Sequence, residues 1–127
     1  MGPYYLAIDI GASSGRHILG HLENGKMLLE EIYRFENRQI RRDGHDCWDI
    51  PHLWQGILDG LKVCKTLDKI PVSVGIDTWA VDFVLLDQNG GCIGDAVAYR
   101  DSRTDGIDRL VETKISAGEL YAHTGIQ

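Results

Sequence analysis

The chain has 127 residues, 43% of them hydrophobic and 25% charged, a composition that excludes a disordered or fibrous protein and suits one domain with a packed core. Lysine and arginine number 13 against 19 aspartates and glutamates, for a net charge of −6, which excludes a broad basic footprint for nucleic acid; the cluster Arg38, Arg41, Arg42 is too small to alter that. No apolar run reaches the roughly 20 residues of a membrane helix, and Met1-Gly2-Pro3 opens without a signal-peptide pattern, so a cytoplasmic protein is expected.

Tyr4 to Ile10 is an apolar and aromatic run ending at Gly11-Ala12-Ser13-Ser14-Gly15, which predicts a buried strand followed by a turn. His17 to Leu22 and Met27 to Phe35 flank Asn24-Gly25, the dipeptide of a tight hairpin, so the chain opens as a three-stranded meander. Residues 37–48 are polar and basic and predict no element. Asp49 is placed to cap a helix that tolerates Pro51 in its first turn, and Leu53, Trp54, Ile57, Leu58, Leu61 and Cys64 follow at helical spacing as one apolar stripe.

Ile70 to Ile76 predicts a further strand, and Val81 to Leu86 another, closed by Asn89-Gly90-Gly91 before Cys92-Ile93. A helix is expected from about Thr104 to Lys114 with Ile107, Leu110 and Val111 inward. The tail carries no clear stopping signal. Without repeats or linkers, residues 1–127 read as one unit, and the order β-β-β-α-β predicts a mixed α/β sheet flanked by helices rather than a doubly wound parallel one. Cys47, Cys64 and Cys92 are odd in number and form no CxxC pair, which predicts reduced, structural thiols.

Two segments carry chemistry. In Asp9-Ile10-Gly11-Ala12-Ser13-Ser14-Gly15-Arg16 a carboxylate ends a strand, a small-residue turn follows, and a cation closes it. Backbone amides in such a turn can approach a polyanion, with Asp9 near a hydrated Mg²⁺ and Arg16 on the phosphates. A small-residue hairpin turn accounts for the same residues equally well. The third glycine of a dinucleotide fingerprint and the Gly-Lys-Ser/Thr of a P-loop are both missing.

Gly75-Ile76-Asp77-Thr78-Trp79-Ala80-Val81-Asp82-Phe83 brings carboxylates, a hydroxyl and an indole to the junction of two predicted strands. That set suits a polyol, whose hydroxyls donate to carboxylates and whose carbon face packs on an indole; a tight interstrand connection with Trp79 in the core is the alternative. Ala98-Tyr99-Arg100-Asp101-Ser102-Arg103 is either a cleft wall or a helix-capping loop with Asp101 paired to an arginine.

Taken in order, Ala7 to Arg16, Trp48-Asp49, Gly75 to Asp87, Ala98 to Thr104 and the closing Thr124-Gly125-Ile126-Gln127 resemble the FGGY carbohydrate kinases. The resemblance implies a ribonuclease H-like fold of the actin-like ATPase superfamily, here the first, partial domain of a two-domain sugar kinase that encloses ATP, Mg²⁺ and a ketose, L-rhamnulose. It implies that Ala12, Ser13, Ser14, Gly15 and Arg16 form the ATP phosphate loop and that Asp9 meets the metal through water. Ala80, where the family's pattern has glycine, falls at the sugar contact, with Trp79 and Asp82 as further contacts.

The same resemblance puts the general-base aspartate and the adenine-binding residues beyond Gln127. The chain is therefore expected to be an amino-terminal portion whose partner is the remainder of its own polypeptide, and to be inactive alone. Two alternatives stay open: a family member acting on fuculose, xylulose or a related ketose, and a noncatalytic sugar or nucleotide sensor of the actin-like superfamily.

Overall fold

Alternation along β1 (Tyr4–Ile10) puts Leu6, Ile8 and Ile10 on one face, where all three are buried, and leaves Tyr5 exposed on the other. A computed structural model describes residues 2–126; Met1 and Gln127, the outermost residues of the opening and closing segments read above, lie outside the described residues. β2 (Ser14–Glu23) and β3 (Lys26–Glu36) complete the expected meander through Asn24-Gly25, whose φ angles of 50° and 76° are both positive, as a tight hairpin requires. β6 (Pro71–Asp77) lies on the other side of β1 and runs parallel to it, giving the mixed order β3-β2-β1-β6. In that register Asp9 faces Arg16 on β2 and Asp77 on β6.

α1 (Ile50–Thr66) starts as its sequence predicts, with Asp49 Oδ1 accepting from the His52 amide at 3.2 Å and Pro51 in the first turn. Its buried face differs from the predicted stripe. Leu53, Gly56, Gly60 and Cys64 form it, Ile57 and Leu61 pack alongside, and Trp54 is 59% exposed. Large rings projecting from the sheet are the reason. A Cβ on Gly56 would stand 2.6 Å from the Phe35 ring, one on Gly60 2.3 Å from the His17 ring, and one on Gly15 2.2 Å from Phe35. Phe35 is thus held between a helix glycine and a strand glycine, and His17 sits in the second helix notch.

His17 is fully buried; its Nε2–H donates to the Ile57 carbonyl at 3.1 Å while Nδ1 has no partner among the described residues. Burial pushes its pKa below the ordinary 6.5, against a smaller upward pull from the bond to Ile57.

Elsewhere the structure revises several expectations. Residues 37–48 contain a second hairpin, β4 (Gln39–Arg42) and β5 (His45–Trp48), turned by Asp43-Gly44 at φ 47° and 84°. β5 also pairs with β9 (Ala96–Val97), and two of the basic residues are neutralised, Arg41 by Asp46 at 2.8 Å and Arg42 by Asp95 at 2.9 Å. Val81 to Leu86 is not a strand. Only Leu85–Leu86 (β7) is extended, paired with β8 (Cys92–Ile93) across the expected turn, while Val81 has φ 72° in a loop beyond the end of β6.

The helix expected over 104–114 is shorter. Gly106, at φ 76°, separates a 3₁₀ turn at Ser102–Thr104 from α2 (Ile107–Glu112), on which Ile107 and Leu110 are exposed rather than inward. The tail holds α3 (Ala117–Thr124), capped by Ser116 Oγ accepting from the Glu119 amide at 3.2 Å and ended by Gly125 at φ 68°. All three cysteines are free; Cys47 and Cys64 are buried, and Cys92 is exposed rather than structural. Among the described residues, no helix is long and apolar enough to cross a membrane.

Two outcomes follow from the contact between α1 and the sheet. Gly60→Ala forces a methyl group onto the His17 ring and should lower stability by about 1–3 kcal/mol, the usual cost of overpacking, read as a lower denaturant midpoint with unchanged slope. His17 binds its proton more readily unfolded than folded, so stability should be flat above its ordinary pKa of 6.5 and fall as pH drops below it. His17→Gln should flatten that limb in denaturant titrations from pH 7 downward; an unaltered slope would remove His17 as its cause.

Candidate active site

The two segments singled out in the sequence meet at one end of the sheet. β1 and β6 are parallel neighbours, and their carboxyl ends bring Asp9 opposite Asp77, so the turn after one strand adjoins the loop after the other. This is the end at which open α/β sheets receive ligands.

In the turn after β1, the Gly11 amide donates to Ser14 O at 2.9 Å, the Asn37 amide to Ser13 O at 3.0 Å, and Asn37 Nδ2 to Gly11 O at 2.8 Å. Three carbonyls are thereby engaged within the protein. The amides of Ala12 and Ser13, both exposed residues, donate to no acceptor among the described residues. Adjacent unpaired N–H groups attract an anion. Gly15 belongs to the turn for a different reason, since Phe35 occupies the space of its missing Cβ.

Arg16 donates from Nε and Nη2 to Asp9 Oδ2 at 2.9 and 2.7 Å, which leaves Asp9 Oδ1 and Arg16 Nη1 without partners among the described residues. Both side chains are nearly half exposed, so the pair is open to a ligand's charge. A second arginine approaches from β3, where Arg34 Nη1 donates to Ser14 Oγ at 3.3 Å while Glu31 holds its other nitrogens at 2.9 and 2.7 Å. These hydrogen bonds keep the Glu31 carboxyl below its ordinary pKa.

After β6, Asp82 organises the loop. Trp48 Nε1 donates to its Oδ2 at 2.6 Å and Trp79 Nε1 to the same oxygen at 2.8 Å, with ring centroids 4.5 Å apart. Ile10, Trp48, Thr78, Trp79, Asp82 and Phe83 line part of a cavity of about 220 Å³ beside the glycine turn. Its wall is mainly apolar, with Asp82 and Thr78 as polar residues among the lining. Ala80 lies exposed on the same loop, beside that wall rather than within it.

Trp48 is buried and was not among the residues the sequence marked for a site, although the pair Trp48-Asp49 belongs to the blocks that carry the resemblance. Its only local signal is its place just before a helix cap. Asn37, also missed, sits in a polar stretch that showed no element.

The segment 98–103 resolves as a capping loop. Asp101 is 2% exposed, accepts from the amides of Asp46 at 2.8 Å and Arg103 at 3.0 Å, and accepts from His45 Nδ1 at 3.1 Å. The two amide bonds and the histidine hold its carboxyl far below the usual carboxylate range against the opposing effect of burial. It ties the 3₁₀ turn to β5. Among the described residues, no cluster of three or more histidine, cysteine or acidic side chains forms a ready-made metal cage.

Residues 4–127 match the model of the N-terminal domain of the FGGY family of carbohydrate kinases. A rhamnulokinase of Oceanobacillus iheyensis is 55% identical over 122 residues, covering 96% of this chain and 26% of that protein. A rhamnulokinase of Bacillus subtilis is 53% identical over 124 residues, covering 97% and 25%. The chain thus spans about a quarter of the length of the curated relatives it matches. Among solved structures, a gluconate kinase from Lactobacillus acidophilus superposes with a TM-score of 0.76 at 14% identity, over 99% of this chain and 25% of that one. A ligand-bound xylulose kinase from the same organism gives 0.73 at 13%, over 94% and 24%. At such low identity these structures establish the fold, and it is the amino-terminal fold of actin-like sugar kinases that the sequence led us to expect. By the family model and by its identity to these relatives, the chain belongs to the FGGY family of carbohydrate kinases.

Proposed function

We propose that residues 1–127 are part of the first domain of an ATP-dependent sugar kinase that transfers the γ-phosphoryl group to L-rhamnulose, giving L-rhamnulose 1-phosphate in rhamnose breakdown. The observation that carries this reading is the 55% identity to a rhamnulokinase across 96% of the chain. The joined ends of β1 and β6 support it, because they set an anion-binding turn beside a cavity suited to a polyol. The remainder of the polypeptide would supply the general base and the adenine site. ATP as phosphoryl donor makes the cytoplasm the compartment of action, and neither nucleic acid nor membrane enters this reading.

On this reading the phosphates of ATP rest on the free amides of Ala12 and Ser13, with the Ser13 and Ser14 hydroxyls as further donors and Gly15 and Arg16 closing the loop. The unpaired Oδ1 of Asp9 fits a hydrated cation, and Asp9 would hold Mg²⁺ through water. When bound, Mg²⁺ supplies neutralisation of phosphate charge, a main requirement of phosphoryl transfer. Arg16 keeps one nitrogen available for a phosphate oxygen while it orients Asp9. Trp79 offers an apolar ring to the sugar's carbon face, the second oxygen of Asp82 accepts from a hydroxyl, and Ala80 borders the same face with a methyl group in place of the hydrogen of glycine.

Two experiments test the proposal. In ADP-formation assays with Mg-ATP and a panel of L-rhamnulose, L-fuculose and D-xylulose, the full-length polypeptide should turn over L-rhamnulose selectively, and the 127-residue chain should turn over none. Preference for another ketose would overturn the substrate and implicate Ala80; ligand binding without turnover by the full-length protein would favour a sensor. In the same full-length protein, Asp82→Ala removes the acceptor shared by both indoles and should raise the ketose KM about tenfold or more. Asp82→Asn, which keeps one acceptor oxygen, should do so less, and an unchanged ketose KM in Asp82→Ala would remove Asp82 from the sugar site.

A further inference from the structure

Asn37 leaves β3 with its side chain buried, 5% exposed, directly beneath the glycine turn. It is separated from Gly11 by 26 positions in sequence, yet it makes two of the three hydrogen bonds that shape the turn. Its amide takes Ser13 O and its Nδ2 takes Gly11 O, while the third bond, from the Gly11 amide to Ser14 O, lies within the turn itself. A peptide unit is planar, so the direction of a carbonyl fixes that of the N–H on the next residue. Holding Gly11 O inward therefore directs the Ala12 amide outward.

We propose that Asn37 is a positioning residue for the phosphate site: its carboxamide fixes the Gly11 carbonyl toward the protein and so presents the Ala12 amide to the phosphates of Mg-ATP. The proposal rests on the kinase reading above and deepens it. Only a side chain with an N–H donor at this reach satisfies Gly11 O. The orientation of the carboxamide follows from the same bond, because an oxygen facing Gly11 O would be repelled. The opposite atom, Oδ1, is buried and has no partner among the described residues, so the side chain is retained despite one unmet acceptor. Outer partners that orient metal ligands typically cost about 10–100-fold in affinity or activity when replaced, and a carboxamide that orients a phosphate-facing amide is expected to act on a similar scale.

The test uses the full-length polypeptide with Asn37→Asp, which keeps the shape and loses the donor, and Asn37→Ala, which removes the group without adding charge. Both should raise the KM for Mg-ATP about tenfold or more and leave the ketose KM within a factor of about two. A purely structural residue would lower the thermal midpoint without that split. An unchanged KM for Mg-ATP in a folded variant overturns the proposal, as does an equal rise in both KM values. Loss of the folded circular-dichroism spectrum in both variants overturns it too, because Asn37 would then be a folding residue. If the unmodified protein turns over no ketose, the kinase reading itself fails, an outcome distinct from any of these.

Discussion

Phe35 is the contact on which both halves of the site depend. Its ring lies against the Cα positions of Gly15 and Gly56, at distances where any Cβ would collide, so one side chain joins the base of the glycine turn to the middle of α1. Two residues further along, the same strand delivers Asn37 to the turn. At its other end, α1 begins at the Asp49 cap, directly after Trp48, and the seating of the helix therefore sets where Trp48 enters the cavity it shares with Trp79 and Asp82. Each glycine in a helix interior costs about 1 kcal/mol relative to alanine. Here that cost accompanies a close approach that brings β2, β3 and α1 into one buried cluster with Leu6, Ile8, Ile10 and Leu19.

Three aspartates show how alike residues acquire different tasks. Asp101 is sealed between backbone amides and His45, which leaves it a structural anchor. Asp82 engages two indoles with one oxygen, and its other oxygen has no partner among the described residues. Asp9 stays nearly half exposed and is balanced by one arginine. Asp101, the buried one of the three, has its carboxylate enclosed by protein donors, as the cost of removing a charge from water would dictate.

What could be read from the sequence was what neighbouring residues decide. β1, the Asn24-Gly25 hairpin, the start of α1 and β6 all follow from local period, turn dipeptide or cap. Asp43-Gly44 and the Ser116/Glu119 cap are signals of the same kind, but they stand beside polar or weakly periodic residues, so the elements they bound gave no apolar rhythm. Val81 to Leu86 has strand composition, yet the bond from Trp79 to Asp82 closes a short loop there, and tertiary constraint outweighs propensity. The narrow face of α1 was illegible because its notches are complementary to rings on β2 and β3. For the same reason Asn37 escaped notice: its partners lie across the fold, and nothing in a polar stretch marks one asparagine as buried.

The register between β1 and β6 explains how two modest signals become one site. Leu6, Ile8 and Ile10 are buried beneath α1, and a slip of one residue would turn them outward, so β1 is pinned by its own core face. Parallel pairing with β6 then aligns Asp9 with Asp77, two carboxylates at neighbouring strand ends. Like charges so placed repel. Arg16 on β2 neutralises Asp9, and Asp77 accepts from the Thr78 amide at 3.0 Å, so each carboxylate is met by a different donor. An exposed ion pair of this kind contributes little to stability. Its value is positional: it allows a strand register dictated by the core to bring the glycine turn and the Trp79–Asp82 loop together without leaving either carboxylate uncompensated.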